Sequence, residues 1–502
     1  MNVQLDGEHL TIEDVCNVAE GDAAVSLSPA AIEKMLASRE PVERLAEGDD
    51  PIYGVNTGVG LLADIRVPRE DLDQLQLNVV RSHAAGVGPP LGRAVVRAMM
   101  LIRANVLAKG FSGIRPVVAE RLCDLLNRGV TPIIPEQGSV GASGDLAPLA
   151  HMALVLVGEG EAEFEGAVLP GGEALLRAGL EPLQFHPKEG LSLINGTQAM
   201  LAIGCLELAE ARTLADSADV IAALTLDALR GTPVAFDPRI HAARPHAGQV
   251  QCAARLRQLL EGSEIRRSHL TCRRVQDAYS LRCIPQVHGA VRDVLAEAGR
   301  VFSIELNSAT DNPLVFGDHI LSGGNFHGEP LAFQLDFLAI AVSALASISE
   351  RRIDRLVNPA LNEDLPPFLA GHAGLESGLM MAQVTAAALV AENRVLAHPA
   401  STGSITTSGN KEDFVSMGMT AALKLQRVVR HTRAVRAIEA LAAARALVLL
   451  SPLRTSPVLE QARSRIRAVS PQFTGDRPLH RDIALLEKLI GDGGLELVPT
   501  AS

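Results

Sequence analysis

Four long helix-forming stretches constrain the fold of this chain more than any other feature. They lie beyond residue 197, are rich in Ala and Leu, and span residues 199–229, 330–357, 375–397 and 412–450. At the usual rise of an α-helix, the last stretch alone would be about 58 Å long. Helices of this length exceed one small core, so the pattern predicts a multi-helix bundle that extends across subunits.

The first 196 residues are instead built from shorter elements. They predict helices at 71–81 and 93–109, and a hairpin with a short helix between 158 and 188. No linker, internal repeat or low-complexity segment divides the chain. We therefore expect a mainly α protein in which residues 1–502 form a single catalytic unit. A smaller mixed N-terminal region (about 1–196) precedes a long-helix bundle (about 197–502).

Composition and charge restrict the class of partner. The net charge of −12 argues against nucleic acid or an anionic membrane as the main partner. No signal peptide is recognisable at the N-terminus, and no uninterrupted apolar run reaches the roughly 18 residues of a membrane span. Six cysteines, at positions 16, 123, 205, 252, 272 and 283, show neither C-x-x-C pairs nor metal-ligand spacing. These observations predict reduced thiols, a cytoplasmic protein and no bound metal.

A glycine-rich loop at 138–148, GSVGASGDLAP, is the most unusual segment of the chain. It precedes an apolar helix at 149–157, and we expect Asp145 to cap that helix. A phosphate-binding loop would need a lysine that is missing here, and a serine-hydrolase elbow would need Gly where Asp145 stands. A third reading is a peptide that modifies itself, because Gly144 presents an unhindered nitrogen and Ser143 carries a hydroxyl that can leave.

The tripeptide Ala142-Ser143-Gly144 resembles the self-cyclising segment of the aromatic amino-acid ammonia-lyases and 2,3-aminomutases. The resemblance extends from about residue 50 to 490. Seven further segments match in the family's order: YGVNTGVGLLA (53–63), SHAAGVG (82–88), GLSLINGTQ (190–198), QDAYSLRCIPQVHG (276–289), NSATDNPLVF (307–316), SGGNFHGEP (322–330) and NKED (410–413). The resemblance implies a 4-methylidene-imidazol-5-one (MIO) group made from residues 142–144, with no external cofactor or metal. It also implies a small amino-acid substrate and a homotetramer with shared active sites.

The resemblance assigns catalytic roles to both tyrosines of the chain, Tyr53 and Tyr279. Tyr53 is the candidate base, and we expect its surroundings to lower the pKa of a phenol that ordinarily titrates near 10. Tyr279 and Asn195 would hydrogen-bond the cyclised group and the amine. Arg282 suits a two-point grip on the substrate carboxylate.

Further residues are implied at the substrate. Gln276, one helical turn before Tyr279, would share its face, and Phe326 would pack beside the cyclised group. His83 and Glu412 match the family members that act on histidine, which implies elimination of ammonia from L-histidine to trans-urocanate.

Four positions depart from the pattern of those members: Ile284, Lys411, Phe414 and Glu376. Two alternatives therefore stay open. One is a lyase or 2,3-aminomutase for another aromatic or related amino acid. The other is a non-catalytic helical assembly protein that kept the fold.

Overall fold

The structure, a computed structural model, describes residues 2–21, 23–270, 275–472 and 474–497. It is mainly α-helical, as predicted. The chain forms two compact units. The first comprises Met1–Leu206, Ala298–Asp336 and Pro399–Leu423, and the second comprises Glu207–Glu297, Phe337–His398 and Lys424–Ser502. Each unit draws on several chain segments rather than on one half of the sequence. A single catalytic unit spanning the whole chain stays a prediction.

Helices account for most of the described residues. The helices up to residue 228 are α1 (Ile12–Glu20), α2 (Pro29–Ala46), α3 (Leu72–His83), α4 (Arg93–Ala108), α5 (Pro116–Arg128), α6 (Leu146–Leu156), α7 (Gly171–Arg177), α8 (Glu189–Ile194) and α9 (Gln198–Ala228). The later helices are α10 (Pro238–Ala242), α11 (Ala247–Leu260), α12 (Glu264–Ser268), α13 (Tyr279–Arg282), α14 (Ile284–Leu306), α15 (Glu329–Val357), α16 (Met380–Leu396), α17 (Gly418–Leu449), α18 (Pro457–Val469) and α19 (His480–Gly491).

The strands are short and lie in the first unit. They are β1 (Asn2–Leu5), β2 (Ala24–Leu27), β3 (Val87–Pro90), β4 (Thr131–Pro132), β5 (Pro135–Gln137), β6 (Glu161–Phe164), β7 (Ala167–Pro170), β8 (Leu314–Phe316) and β9 (His319–Leu321). The strands β1 and β2 pair in parallel, whereas β3–β5, β4–β6–β7 and β8–β9 pair antiparallel. The β6–β7 hairpin and α7 confirm the hairpin and short helix predicted between 158 and 188.

Helix α4 is a central helix of the first unit. Its residues from Val95 to Ala108 are all buried, and their Val, Met, Leu and Ala side chains form much of the local core. Two arginines, Arg97 and Arg103, are buried among them. Because a buried guanidinium must find hydrogen-bond acceptors, each of these side chains fixes neighbouring backbone.

The long helices agree with the prediction except at two starting points. The bounds of α9 and α15 lie within about one residue of those predicted. Helix α17 begins at Gly418 rather than near residue 412, because Met417 has a left-handed backbone (φ 56°) that no helix can continue. Helix α16 likewise begins at Met380 rather than at residue 375.

The arginines at positions 427, 430, 433 and 436 form a basic stripe in the sequence of α17, and most of them are ion-paired. Arg427 pairs with Glu392 at the surface and Arg433 with Glu210. Arg436 is fully buried and donates to Glu439, which is also gripped by Arg352. This last group belongs to the core of the second unit, which the stripe pattern alone did not reveal.

One helix passes a length and composition test for a membrane span. It is α15, with a mean hydropathy of 1.9 in its most apolar window, of which 61% is buried inside the protein. Core helices commonly satisfy the same test. The buried Asp336 within α15 accepts a hydrogen bond from the backbone of Ser401, which is typical of a helix packed against protein.

The described cysteines form no disulfide with one another, in agreement with the prediction of reduced thiols. Cys272 lies outside the described residues.

Candidate active site

The glycine-rich loop is anchored at its C-terminal end by Asp145. The carboxylate of Asp145 accepts hydrogen bonds from the backbone nitrogens of Ala199 and Met200, both at 2.9 Å, in the first turn of α9. It also accepts one from the Ser139 hydroxyl at 3.1 Å. The prediction that Asp145 caps α6 is therefore wrong, since it makes no side-chain hydrogen bond to that helix. The carboxylate instead accepts hydrogen bonds from backbone N–H groups in the first turn of α9, a helix that begins more than fifty residues later.

Burial alters the titration of this carboxyl. Asp145 is completely buried, and burial raises its pKa to about 6, although the hydrogen bonds from Met200, Ser139 and Ala199 oppose the rise.

Gly144 is pressed against Gly196. A Cβ built on Gly144 would lie 2.1 Å from the carbonyl oxygen of Gly196, and Gly144 has a left-handed φ of 76°. The same carbonyl accepts a 2.6 Å hydrogen bond from the nitrogen of Asp145. The nitrogen of Gly144 itself donates no hydrogen bond within the described residues. Only glycine fits here, and its nitrogen is uncommitted.

The other end of the loop is held by the segment that precedes α17. The nitrogen of Met417 donates to the Val140 carbonyl at 2.8 Å, and the Ser416 hydroxyl donates to the Gly141 carbonyl at 3.2 Å. A Cβ on Gly141 would lie 2.2 Å from the Ser416 oxygen. The three residues between these two anchors are Ala142, Ser143 and Gly144.

Ser143 hydrogen-bonds Glu412, a residue 269 positions away. Its hydroxyl donates to Oε1 of Glu412 at 2.9 Å. The second oxygen of Glu412, Oε2, accepts from the Thr407 hydroxyl at 2.7 Å, and the two backbones also pair. Glu412 therefore lies in a braced loop ahead of α17 and faces the residue that resembles the reactive serine.

Tyr53 lies in the same unit, in the loop predicted for residues 53–60. Its hydroxyl accepts a long, 3.5 Å contact from the Gly60 nitrogen. Burial raises the pKa of Tyr53, with further increases from the negative charges of Glu412 and Asp311, and the Gly60 contact only partly opposes them. The expectation of a lowered pKa is thus wrong for this chain alone, because the phenol is buried and the charges that act on it are those of two carboxylates rather than of cations.

His83 is the last residue of α3, and its Nδ1 lies 2.7 Å from the Val79 carbonyl. A carbonyl can only accept, so Nδ1 carries the proton and Nε2 of the neutral ring is an acceptor. His83 can therefore accept a hydrogen bond from a ligand N–H.

Asn195 follows α8 and is buried. Its side-chain oxygen is buried without a hydrogen-bond partner among the described residues. Its backbone carbonyl accepts from Nη1 of Arg103 at 2.9 Å. A buried acceptor without a partner is costly, and a bound amine or amide donor would satisfy it.

Phe326 is half-buried in the loop before α15. The next residue, His327, contacts the Phe414 carbonyl through Nε2 at 3.2 Å and stacks on the Phe414 ring. This loop is therefore tied to the loop that carries Glu412.

Tyr279, Arg282 and Gln276 belong to the second unit. The Arg282 guanidinium lies 4.7 Å from the centre of the Tyr279 ring, and Tyr279 is 72% exposed. The Nε of Arg282 is buried without a partner among the described residues. Gln276 precedes α13 in a non-helical segment, so the prediction that it shares a helical face with Tyr279 is wrong.

The four departures occupy different environments. Ile284 is fully buried at the start of α14, whereas Lys411 and Phe414 are exposed. Glu376 lies in the loop before α16 and accepts from the Gly371 nitrogen at 2.8 Å.

A second group of ionisable side chains was not predicted by spacing. Asp219, Cys252 and His288 are buried in the second unit with their ligand atoms within 4.8 Å of one another. Asp219 accepts from His288 at 2.8 Å, from Cys252 at 3.2 Å and from Arg292 at 2.6 Å. Since Arg292 already neutralises the carboxylate, the contacts are those of a hydrogen-bonded core cluster rather than of a metal centre.

The sequence reasoning missed three residues that shape the loop: Arg103, Gly196 and Thr407. The available signal for Arg103 was a charge within the apolar run of α4. Gly196 lay inside a recognised motif without an assigned role, and nothing local marked Thr407.

Comparison with known proteins identifies the relatives of this chain. Residues 10–468 match the family model described as aromatic amino acid lyase. A histidine ammonia-lyase of Koribacter versatilis is 59% identical, with 98% of each chain covered. The crystal structure of histidine ammonia-lyase from Trypanosoma cruzi is 44% identical, with a TM-score of 0.91 over 99% of this chain and 94% of that one. A tyrosine aminomutase from Streptomyces globisporus is 42% identical, with a TM-score of 0.93 over 99% and 98%.

Proposed function

The chain belongs to the aromatic amino acid lyase family, and we propose that it eliminates ammonia from L-histidine without oxidation to give trans-urocanate. The observation that carries the proposal is the contact between the Ser143 hydroxyl and Glu412. It joins the residue that would form the electrophile to the residue that would select the substrate. The histidine ammonia-lyases among the relatives support the choice of substrate.

The loop fits a self-formed MIO group. Gly144 has an uncommitted nitrogen, no room for a side chain, and a backbone bent into the left-handed region. Ser143 has a hydroxyl to lose, and anchors on both sides hold the tripeptide. When formed, the group would supply an electrophilic methylene that takes up the substrate amine, a task no ordinary side chain performs.

In this proposal, Glu412 first binds the Ser143 hydroxyl and later binds the substrate. The hydroxyl that binds Oε1 of Glu412 is the one that leaves Ser143 during cyclisation. Its departure frees Oε1, while Thr407 continues to hold Oε2. The freed oxygen, or the acceptor nitrogen of His83, would accept a hydrogen bond from the single N–H of a neutral imidazole ring. An all-carbon ring has no N–H to offer these half-buried acceptors, which disfavours phenylalanine.

Tyr53 removes the β-proton of the substrate in this scheme. Its phenolate is the active form, so a raised pKa places the active form at alkaline pH. A substrate ammonium or a cation supplied by another subunit would lower that pKa.

The resemblance supports roles at the substrate for several further residues. Arg282 would grip the substrate carboxylate with Gln276 nearby, and Tyr279 would stabilise developing charge together with Asn195. Phe326 would pack beside the cyclised loop.

We place these sites in a homotetramer whose chains share active sites. The exposure of Tyr279 and of apolar residues on α16, such as Met381 (64%) and Val395 (75%), supports an interface between copies. We further propose that the enzyme acts in the cytoplasm without an added cofactor or metal. Exhaustive chelation should then leave turnover unchanged, and its loss with rescue by one metal would oppose this part.

A screen of the twenty common amino acids for ammonia release tests the proposed function. L-Histidine should be the best substrate and urocanate the product, with products separated so that a β-amino acid would be seen. Ammonia from another amino acid, with none from histidine, would contradict the substrate. A β-amino acid product would instead indicate an aminomutase, as in the tyrosine aminomutase relative.

A further inference from the structure

We propose that Arg103 is a positioning residue for the cyclisation of the 142–144 loop. Its guanidinium holds the Asn195–Gly196 peptide, and the backbone of Gly196 in turn sets the approach of the Gly144 nitrogen to the Ala142 carbonyl. This role presupposes that the loop cyclises as proposed above.

The reaction makes a strict geometric demand. The Gly144 nitrogen bonds to the carbonyl carbon of Ala142, and that oxygen leaves as water with one proton from the Gly144 nitrogen and one from the Ser143 nitrogen. The Ser143 hydroxyl leaves as a second water with the proton of the Ser143 Cα, which forms the exocyclic double bond. Each bond requires one arrangement of a short, flexible segment, and a misplacement of 1 Å can cost about 10²-fold in rate.

Gly196 is the surface against which Gly144 is set. The carbonyl oxygen of Gly196 accepts a 2.6 Å hydrogen bond from the nitrogen of Asp145. The backbone of Gly196 leaves no space for a side chain on Gly144. The position of the Gly196 backbone therefore determines where Gly144 lies.

Arg103 holds the preceding peptide, Asn195–Gly196. Its Nη1 donates to the Asn195 carbonyl and to Oε1 of Gln198, both at 2.9 Å. A Cβ on Gly196 would lie 2.6 Å from the same nitrogen, so guanidinium and peptide are in direct contact. The chain of contacts runs from Arg103 through Gly196 to Gly144.

The environment of Arg103 indicates more than a generic core contact. The side chain is fully buried, and its Nε and Nη2 have no hydrogen-bond partner among the described residues. The nearby carboxylate of Asp311 is already paired with Lys188 at 3.2 Å. A buried arginine with two unpartnered donor nitrogens is expensive for stability alone, and such a cost is usual at functional sites.

Arg97 provides a matched control within the same helix. It is also buried in α4 and donates to two backbone carbonyls, those of Val18 at 3.0 Å and Leu126 at 3.1 Å. None of its contacts reaches the loop. Arg97→Lys therefore removes comparable packing and hydrogen bonding without touching the 195–196 peptide.

The test follows cyclisation by mass rather than by activity. The wild-type chain, Arg103→Lys, Arg103→Met and Arg97→Lys are expressed, and the folded fraction is sampled at successive times after synthesis. The readout is the fraction of the 138–148 peptide that has lost two water molecules. We expect at least about tenfold slower loss in both Arg103 variants, with Lys less affected than Met, and the wild-type rate in Arg97→Lys.

A milder variant protects the test against failure to fold. Gln198→Leu removes one acceptor of Arg103 and keeps the Asn195 contact, so it should slow cyclisation by less than Arg103→Lys. Wild-type rates in every foldable variant at Arg103 and Gln198 would overturn the proposal. Equal slowing in Arg97→Lys would also overturn it, because the effect would then follow stability. An unmodified wild-type peptide in active enzyme would instead refute the cyclisation itself.

Discussion

Tyr53 has the most demanding of the proposed roles, that of the base that removes the β-proton of the substrate. Tyr53→Phe keeps the ring and removes only the proton acceptor, so kcat should fall by at least about 10²-fold. Because burial raises the pKa of Tyr53, wild-type kcat/KM should increase with pH through the alkaline range, and this increase should vanish in the variant.

The control is the mass of the loop peptide, which should be the same in Tyr53→Phe and the wild type. Near-normal turnover in Tyr53→Phe would place the base elsewhere, with Tyr279 as the next candidate.

Glu412 is the residue that we propose selects the substrate. Glu412→Gln keeps a hydrogen-bonding side chain but loses the charge that would hold an imidazole N–H. A hydrogen bond to a charged group contributes about 1.5–3 kcal/mol, so kcat/KM for L-histidine should fall by about 10- to 100-fold.

The neighbouring exposed residue offers the comparison. Lys411→Gln makes a similar change one position earlier and should leave histidine turnover unaffected. If Lys411→Gln and Glu412→Gln behave alike, Glu412 does not bind the ring.

Among the elements, the start of α9 is coupled to the loop through Asp145. The pKa of this carboxyl is about 6 in the folded protein against 3.8 ordinarily. Between about pH 4 and 6 the folded state alone holds the proton, so stability should fall as pH rises through this window. Asp145→Asn cannot titrate and should remove that part of the pH dependence of the unfolding midpoint. Asp318→Asn, on an exposed turn, should retain it, and an unchanged slope in Asp145→Asn would contradict the assignment.

Helix α17 depends on a buried charge group. Glu439 is fully buried and accepts from Arg352 at 2.6 Å and from Arg436 at 3.1 Å. Its replacement by Gln leaves two buried guanidinium groups without a counter-charge, and we expect a loss of about 3–5 kcal/mol in unfolding free energy.

Thermal unfolding of Glu439→Gln measures this loss. The control is Glu392→Gln, which breaks the surface pair with Arg427 and should cost at most about 1 kcal/mol. Equal unfolding midpoints for the two variants would contradict the expectation that the buried ion pairs of α17 contribute more to stability than its surface pair.

The elements also mark the limit of what the sequence predicts. Local periodicity placed α9 and α15 within about a residue, since each helix has its own apolar stripe and stop signal. For α17, the helical sequence pattern extends through residues 412–417, which the structure does not include in the helix. The side chain of Met417 gives no indication that its backbone is left-handed. Asp145 looked like a cap for α6, and only the three-dimensional structure shows that α9 takes its carboxylate.

At the scale of the whole molecule, the residues of the candidate site come from distant segments. The Ser143–Glu412 contact and the Gly144–Gly196 contact join positions that no local pattern relates. Family resemblance named most of these residues, whereas the support behind them, such as Arg103, emerged only from the packed structure. The charges around Tyr53 could not be predicted for the same reason, because they depend on which carboxylates the fold brings near it.

The central claim is that this chain builds its own electrophile from Ala142, Ser143 and Gly144. The most direct measurement is the mass of the 138–148 peptide released from catalytically active protein, compared with that from Ser143→Ala. We predict that the wild-type peptide is lighter than its sequence by two water molecules. The Ser143→Ala variant should fold, show no loss of the second water because it has no hydroxyl to lose, and have activity lower by many orders of magnitude. An active enzyme whose peptide has the full, unmodified mass would contradict the account.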